Sequence, residues 1–373
     1  MRKYSYILDI GSSKLSLLVC TLYNKQPHIL FFEEKSYDGF LDGEFLSPNQ
    51  IPFIVNDLIS NVVKKLRRTI TKVFVGVPSE FCVCVCKRIK RKYATSKLID
   101  EKELYSLFDG VDDFNKSNTY KPLSFSAMQY VLDDDVKTIN PIKKRTKSIT
   151  MDCSYVLAKK SFVEFFDKLF ANANIKSIEY TSSALGQAVE CTDKNSPLSP
   201  VAVVDVGHLT TSVAVVKGEG LALLSSFSLG GGHISSDLMQ LLKISYSDAE
   251  AIKKKVMLSV KADRNERYEV SNAGRLITSH IQFTNEIVKS RIENIANIVS
   301  NILDIDEMFR DIPIYLTGDG IANFKGVLPI FSTITNRQTL DYTNRFDYTD
   351  RKHQTSANGL CKLIYTLESN KGE

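Results

Sequence analysis

The chain has 373 residues, 43% of them hydrophobic and 24% charged, a balance ordinary for a globular protein and a length that favours two or more domains. Its net charge of +5 is too weak a bias to argue for nucleic acid, and no apolar run approaches the ~20 residues of a membrane span. The opening Met1-Arg2-Lys3-Tyr4 runs straight into apolar residues, so no signal peptide is expected.

Residues 4–20 read as two strands joined by a turn: Ile7-Leu8-Asp9-Ile10-Gly11-Ser12-Ser13-Lys14, then the apolar run 15–19. A turn at 24–27 leads to a third strand at 28–35. Helical periodicity over 51–66 aligns Ile54, Leu58, Ile59, Val62 and Val63, and 72–77 is a short buried-type strand. From 79 to 160 the chain is more basic and less apolar, with Lys87-Arg88, Lys90-Arg91-Lys92 and Lys143-Lys144-Arg145. A helix at 100–108 and strands at 126–132 and 148–158 make this a small inserted α+β module. Cys82, Cys84 and Cys86 alternate with valines, so period two puts them on one strand face. The seven cysteines follow no framework of spacings, and free thiols are expected. A helix at 161–170 and a strand at 175–180 follow. The small-residue helix at 182–190, opening Ser182-Ser183-Ala184-Leu185-Gly186, suits close packing beside a cleft or an ordinary buried position equally.

Ser196-Pro197-Leu198-Ser199-Pro200 reads as a linker, after which the opening design returns as Val203-Val204-Asp205-Val206-Gly207-His208-Leu209-Thr210-Thr211 and the apolar run 213–216. A third strand again follows, at 221–229. Each copy ends a strand in Asp and turns on glycine. One carboxylate and several backbone N–H groups then share a tip, which suits a phosphate chain with its Mg²⁺. Gly230-Gly231-Gly232 precedes a helix at 234–242. Ser247 and Glu250 read as a capping box, and helices are expected to dominate 272–304. A strand at 312–317 ends in Gly318-Asp319-Gly320, and the last helix is expected at 356–367.

This ordered set resembles the actin-like ATPase superfamily (actin, Hsp70, sugar kinases) and, within it, the FtsA family of bacterial cell-division proteins. The resemblance is carried by Asp9-Ile10-Gly11-Ser12-Ser13-Lys14, by Asn140-Pro141 after Asp133-Asp134-Asp135, by Ser247-Asp248-Ala249-Glu250-Ala251-Ile252-Lys253, by Arg291-Ile292-Glu293 and by Leu316-Thr317-Gly318-Asp319-Gly320. It implies an α/β fold of duplicated ribonuclease-H-like domains with an inserted α+β subdomain, 1C. Residues 1–78 and 161–197 would form subdomain IA, 79–160 subdomain 1C, 198–238 and 312–373 subdomain IIA, and 239–311 subdomain IIB.

The resemblance further implies ATP and Mg²⁺, with Asp9 and Asp205 holding the metal mostly through water. Gly11, Ser12, Ser13, Lys14, Gly207, Thr210 and Thr211 would line the phosphates, and Gly230, Gly231, Glu250, Lys253, Gly318 and Gly320 the nucleoside, with Asp319 pointing away. His208, Leu209 and Ser212 stand where active relatives often carry two glycines and an acid, so at most a slow ATPase is expected. The implied partners are the FtsZ C-terminal peptide, met on IIB by Lys289 and Arg291, further copies in a filament, and other division proteins through 1C. The chain as given ends in the polar run 366–373 where the family usually carries an amphipathic membrane-targeting helix. No direct membrane anchor is expected from it, and work at the division site on the inner face of the membrane would go through a partner or a missing tail. Two rival readings are a PilM-like pilus-assembly protein, whose first loop usually delays the lysine, and a sugar-kinase-type phosphotransferase, for which no base beside a small-substrate pocket is evident.

Overall fold

The sequence repeat at Asp9 and Asp205 extends to the whole topology of two sheets. The structure is a computed structural model that describes residues 4–23, 26–108, 112–192, 195–260, 262–345 and 354–370. The first apolar runs form β1 (Ser5–Ile10), β2 (Lys14–Tyr23) and β3 (Gln26–Ser36); the turn residues 24 and 25 expected between the last two lie outside the described residues. A short hairpin, β4 (Phe40–Leu41) with β5 (Glu44–Phe45), leads to α1 (Ile51–Leu66) and β6 (Lys72–Val77). The inserted module is β7 (Cys82–Leu98), α2 (Glu101–Leu107), α3 (Asp112–Asn115), β8 (Tyr120–Leu132), β9 (Lys137–Thr138) and β10 (Arg145–Lys159). The chain returns through α4 (Lys160–Asn172), β11 (Ser177–Ser182) and α5 (Ser183–Cys191).

The second half repeats the plan with β12 (Val201–Val206), β13 (Thr211–Lys217), β14 (Gly220–Phe227), α6 (Gly231–Leu242) and α7 (Tyr246–Lys253). It continues through β15 (Arg267–Asn272), β16 (Arg275–His280), α8 (Ile281–Leu303), β17 (Ile314–Thr317), α9 (Val327–Thr335), β18 (Thr339–Asp341) and α10 (Thr355–Asn370). The two large sheets have orders β11-β6-β1-β2-β3 and β14-β13-β12-β17-β18. In both, the first three strands are antiparallel neighbours and the last two join in parallel through helical crossovers.

Each sheet is covered on both faces. The first packs one face on α1 and α4 through Val55, Leu58, Val62, Phe162, Phe166 and Phe170, with Phe40 and Phe81 joining the aromatic cluster. The second packs on α6, α8 and α9 through Ile234, Leu238, Val288, Ile292 and Phe331. The opposite faces are covered crosswise. Helix α5, which follows the first sheet, packs on Val203, Ala214 and Val216 of the second. Helix α10, which follows the second sheet, packs on Ile7, Leu18 and Phe74 of the first. The division drawn from sequence, with all of 312–373 in the second half, does not capture this exchange. Cys20 and Cys361, expected as free thiols, are bonded to each other and tie β2 to α10.

Two local expectations are also corrected. Residues 267–280 form the β15–β16 hairpin: Tyr268 and Val270 alternate inward, and Ala273 and Gly274 turn the chain at φ 48° and 76°. The cap of α7 is Ser245, whose hydroxyl accepts from the Asp248 amide, so the helix starts before Ser247 and Glu250 has no capping role. In the insert, the sheet order is β7-β10-β8-β9, and the three alternating cysteines do share a face. That face meets β14: Cys84 Sγ donates to the Leu221 carbonyl at 3.2 Å, while Val83 and Val85 turn to the insert's own core.

Candidate functional site

Both Asp-x-Gly turns close by the same bond. Gly11 N–H donates to the Lys14 carbonyl at 2.9 Å, and Gly207 N–H to the Thr210 carbonyl at 2.9 Å. The following strands have matching register, Ile10 opposite Leu15 and Val206 opposite Thr211. The sheets bring these tips face to face across a cleft of about 620 Å³. Of the residues singled out in the sequence, Asp9, Gly11, Ser12, Ser13, Lys14, Asp205, Gly207, Glu250, Lys253, Gly318 and Gly320 line it.

The two aspartates are its electrostatic centre. Burial pushes the Asp9 carboxyl up to about 6, aided by the charge of Asp205 and opposed by hydrogen bonds from Ser356 at 2.9 Å and Ser183 at 3.5 Å. Asp205 is also raised by burial, with Gln187 Nε2 donating to it at 2.6 Å and Asp319 adding negative charge. Two buried carboxylates that resist ionisation are the arrangement a divalent cation relieves. Among the described residues no group of three or more metal-type ligands converges, so a Mg²⁺ held by this pair would keep most of its waters.

Lys14 is the cation nearest the first tip. Burial disfavours its charge, but the Glu34 carboxylate at 2.7 Å outweighs this and holds it above the ordinary lysine range. Tyr37 steadies the same tip, its hydroxyl donating to the Gly11 carbonyl at 2.8 Å. At the other end, Lys253 is buried and donates to the Gly231 carbonyl, to Ser235 and to Glu250. Desolvation lowers Lys253, and Glu250 partly restores it. Ile321 and Phe324 add an apolar wall beside this pair, which suits the flat face of a base.

Several expected residues are placed otherwise. Thr211 is fully buried and donates to the Leu229 carbonyl at 2.6 Å, away from the cleft; Thr210 does not line it either. Gly230 and Gly231 sit behind the lining, where a Cβ on Gly230 would strike the His208 backbone at 2.7 Å and one on Gly231 the Gly320 backbone. Their bareness lets three backbone loops touch; it does not make room for a nucleoside. Asp319 faces the cleft and acts on both Lys14 and Asp205. Arg291 is paired bidentately with Asp237 at 2.7 and 2.9 Å, which neutralises the charge meant for an acidic peptide. Lys289 is exposed, with Glu293 at 3.7 Å.

Gln354 and the first residues of α10, Thr355, Ser356 and Ala357, line the cleft and were not anticipated. A signal for them exists: Thr355-Ser356-Ala357-Asn358-Gly359 repeats the pattern of Ser182-Ser183-Ala184-Leu185-Gly186. Ser183 and Ser356 both reach Asp9, and Gly186 and Gly359 press backbone on backbone where α5 and α10 cross. The duplication therefore includes the helices that cross beneath the cleft.

Residues 202–335 match the family model described as cell division protein FtsA. The cell division protein FtsA of Bacillus subtilis (strain 168) is 20% identical over 331 residues, covering 87% of this chain and 74% of that protein. Among solved structures, a chain of the PilM–PilN type IV pilus biogenesis complex aligns with a TM-score of 0.59 at 11% identity, covering 96% of this chain and 98% of its own. MreB5 of Spiroplasma citri bound to AMPPNP aligns at 0.57 and 11%, covering 99% and 98%. The duplicated sheets and the aligned structures agree on the actin-like fold, and along most of its length the chain is similar to the FtsA cell division proteins.

Proposed function

We propose that this protein binds an adenine nucleotide with Mg²⁺ between its two halves and uses the bound state to set its shape for assembly at the division ring. The observation that carries this is the pair of buried carboxylates, Asp9 and Asp205, delivered to one cleft by duplicated turns beside Lys14 and the Glu250–Lys253 pair. Asp9 and Asp205 would hold the hydrated cation, Ser12, Ser13 and Lys14 the phosphates, and Glu250 the ribose. The metal would supply charge neutralisation between carboxylates and phosphates.

Hydrolysis is proposed to be slow or absent. Ser212 replaces a carboxylate that could orient water, and the second tip has no lysine to match Lys14. The cellular role follows the family: recruiting or anchoring FtsZ through the face of α8 that bears Lys289, and joining further copies into filaments. A pilus-assembly role has support in fold alone, from the PilM chain. The test is calorimetric titration of the purified protein with adenine nucleotides, with and without Mg²⁺, and sedimentation with FtsZ C-terminal peptide. Mg²⁺-dependent binding that Asp205→Asn abolishes is expected; absence of any nucleotide affinity overturns the reading.

A further inference from the structure

The two tips touch each other, through the Ser12 hydroxyl of the first and the Leu209 side chain of the second. Ser12 Oγ accepts from the backbone N–H groups of His208 and Leu209, both at 3.1 Å. These are the amides that the second tip would otherwise turn toward a phosphate. The Leu209 side chain crosses to the first half, its Cδ1 lying 2.8 Å from where a Cβ on Gly39 would stand. Gly39 itself is at φ +89° with its bare α-carbon against the Ser12 carbonyl. Close by, Ser228 Oγ donates to Asp42 Oδ1 at 2.7 Å, a second clasp between the halves. The open cleft stops at Ser12, Gly207 and His208; Leu209, Thr210 and Gly39 lie outside its lining.

We propose that Leu209 closes the terminal-phosphate end of the cleft, so that this protein prefers a nucleoside diphosphate to the corresponding triphosphate. This rests on the nucleotide reading above and narrows it. A phosphate chain anchored at Lys14 and the Asp9–Asp205 pair extends its last phosphoryl group toward the gap between the tips. Such a group needs N–H donors and space. The donors there are satisfied by Ser12, and the space is filled by a leucine against a glycine. Admitting it means breaking two hydrogen bonds and pulling an apolar side chain off its contact while a dianionic group takes its place. Those losses fall on the triphosphate alone, because a diphosphate ends short of the gap.

The experiment is paired titration calorimetry of the full chain with Mg·ADP and Mg·AMPPNP, on wild type, Leu209→Gly and Leu209→Ala. Wild type is expected to bind ADP at least roughly tenfold more tightly than AMPPNP. Leu209→Gly is expected to narrow that ratio toward unity, with Leu209→Ala intermediate and available should glycine loosen the loop. Equal wild-type affinities, or a ratio unmoved in whichever variant folds, overturn the inference and leave nucleotide binding standing. Binding of neither ligand overturns both.

Discussion

The two tips have the same backbone turn, the same strand register and the same aspartate, yet different electrostatics. The first carries Ser12, Ser13 and Lys14 over a hydroxyl buttress from Tyr37. The second carries His208, Leu209 and Thr210, and its amides are taken by Ser12. Burial lowers His208 below the ordinary histidine range, with the Lys253 charge adding to it, so above neutral pH the second tip presents a neutral ring; its Nε2 lies 3.1 Å from the Tyr246 hydroxyl. Duplication fixes where a carboxylate and a glycine turn must be, and leaves the loop side chains free to diverge. The first tip keeps hydroxyls and a lysine at the cleft, and the second closes on its neighbour.

The largest effect is expected where the tips meet. Gly39→Ala puts a Cβ into the Ser12 carbonyl at a positive φ, which should destabilise the fold by roughly 3 kcal/mol. Chemical denaturation checks this, and a loss under about 1 kcal/mol would mean the tips are not pressed together.

The aspartates come next. Asp9 titrates near 6 when folded against 3.8 ordinarily, so the folded state holds the proton more tightly. Without a cation, stability therefore falls as pH rises from about 4 to 6 and stays reduced above, by of order 2–3 kcal/mol. Asp9→Asn should raise the melting temperature of the ligand-free protein at pH 7.5 and remove any Mg²⁺-dependent gain. In wild type, that gain should be full above pH 6 and fade below it, because the metal favours the ionised carboxyl. Melting curves at pH 5 and 7.5 decide; an Asn variant that keeps the Mg²⁺ gain would break the pairing of Asp9 with metal.

The asymmetry itself is sharpened by matched substitutions. Lys14→Ala removes a charged donor and should weaken nucleotide binding about 10- to 100-fold, the equivalent of ~1.5–3 kcal/mol. Thr210→Ala, at the matching turn position but outside the cleft lining, should change it by less than about threefold. Equal losses would restore a symmetric clamp.

The sequence made the tips legible because the Asp-x-Gly turn recurs with the same third strand after it, where a single copy would read equally well as an ordinary turn. It also marked α1, β6 and the insert, where periodicity and composition change sharply. The β15–β16 hairpin was hidden because Arg267, Glu269, Arg275 and Leu276 are exposed, so its alternation is thin. The fate of Thr211 was hidden for a different reason: a threonine beside a phosphate loop and one bonded to a neighbouring carbonyl look alike until the strand's facing is known. The crossed helices were readable from the repeated Ser-Ala-x-Gly pattern at 183–186 and 356–359, but which sheet each covers is a matter of three-dimensional exchange.

The smallest expected effect separates two basic residues on one helix. Arg291 and Lys289 lie on α8, and both were candidates for an acidic peptide. Arg291 is held by Asp237 in a two-pronged pair on which its partly exposed charge is neutralised, so it bridges α8 to α6. Arg291→Ala should therefore act on stability, by about 1 kcal/mol after allowance for solvent screening, or roughly 2 °C in melting temperature. Lys289 is 55% exposed and only loosely paired with Glu293, so its removal should leave the melting temperature unchanged. If the α8 face takes the FtsZ peptide, Lys289→Ala should weaken that binding about two- to threefold, the scale of one screened surface charge. Fluorescence anisotropy with a labelled peptide at low and high salt measures it. The reverse outcome, with Arg291→Ala lowering peptide affinity at constant melting temperature, would mean that Asp237 releases the guanidinium on binding.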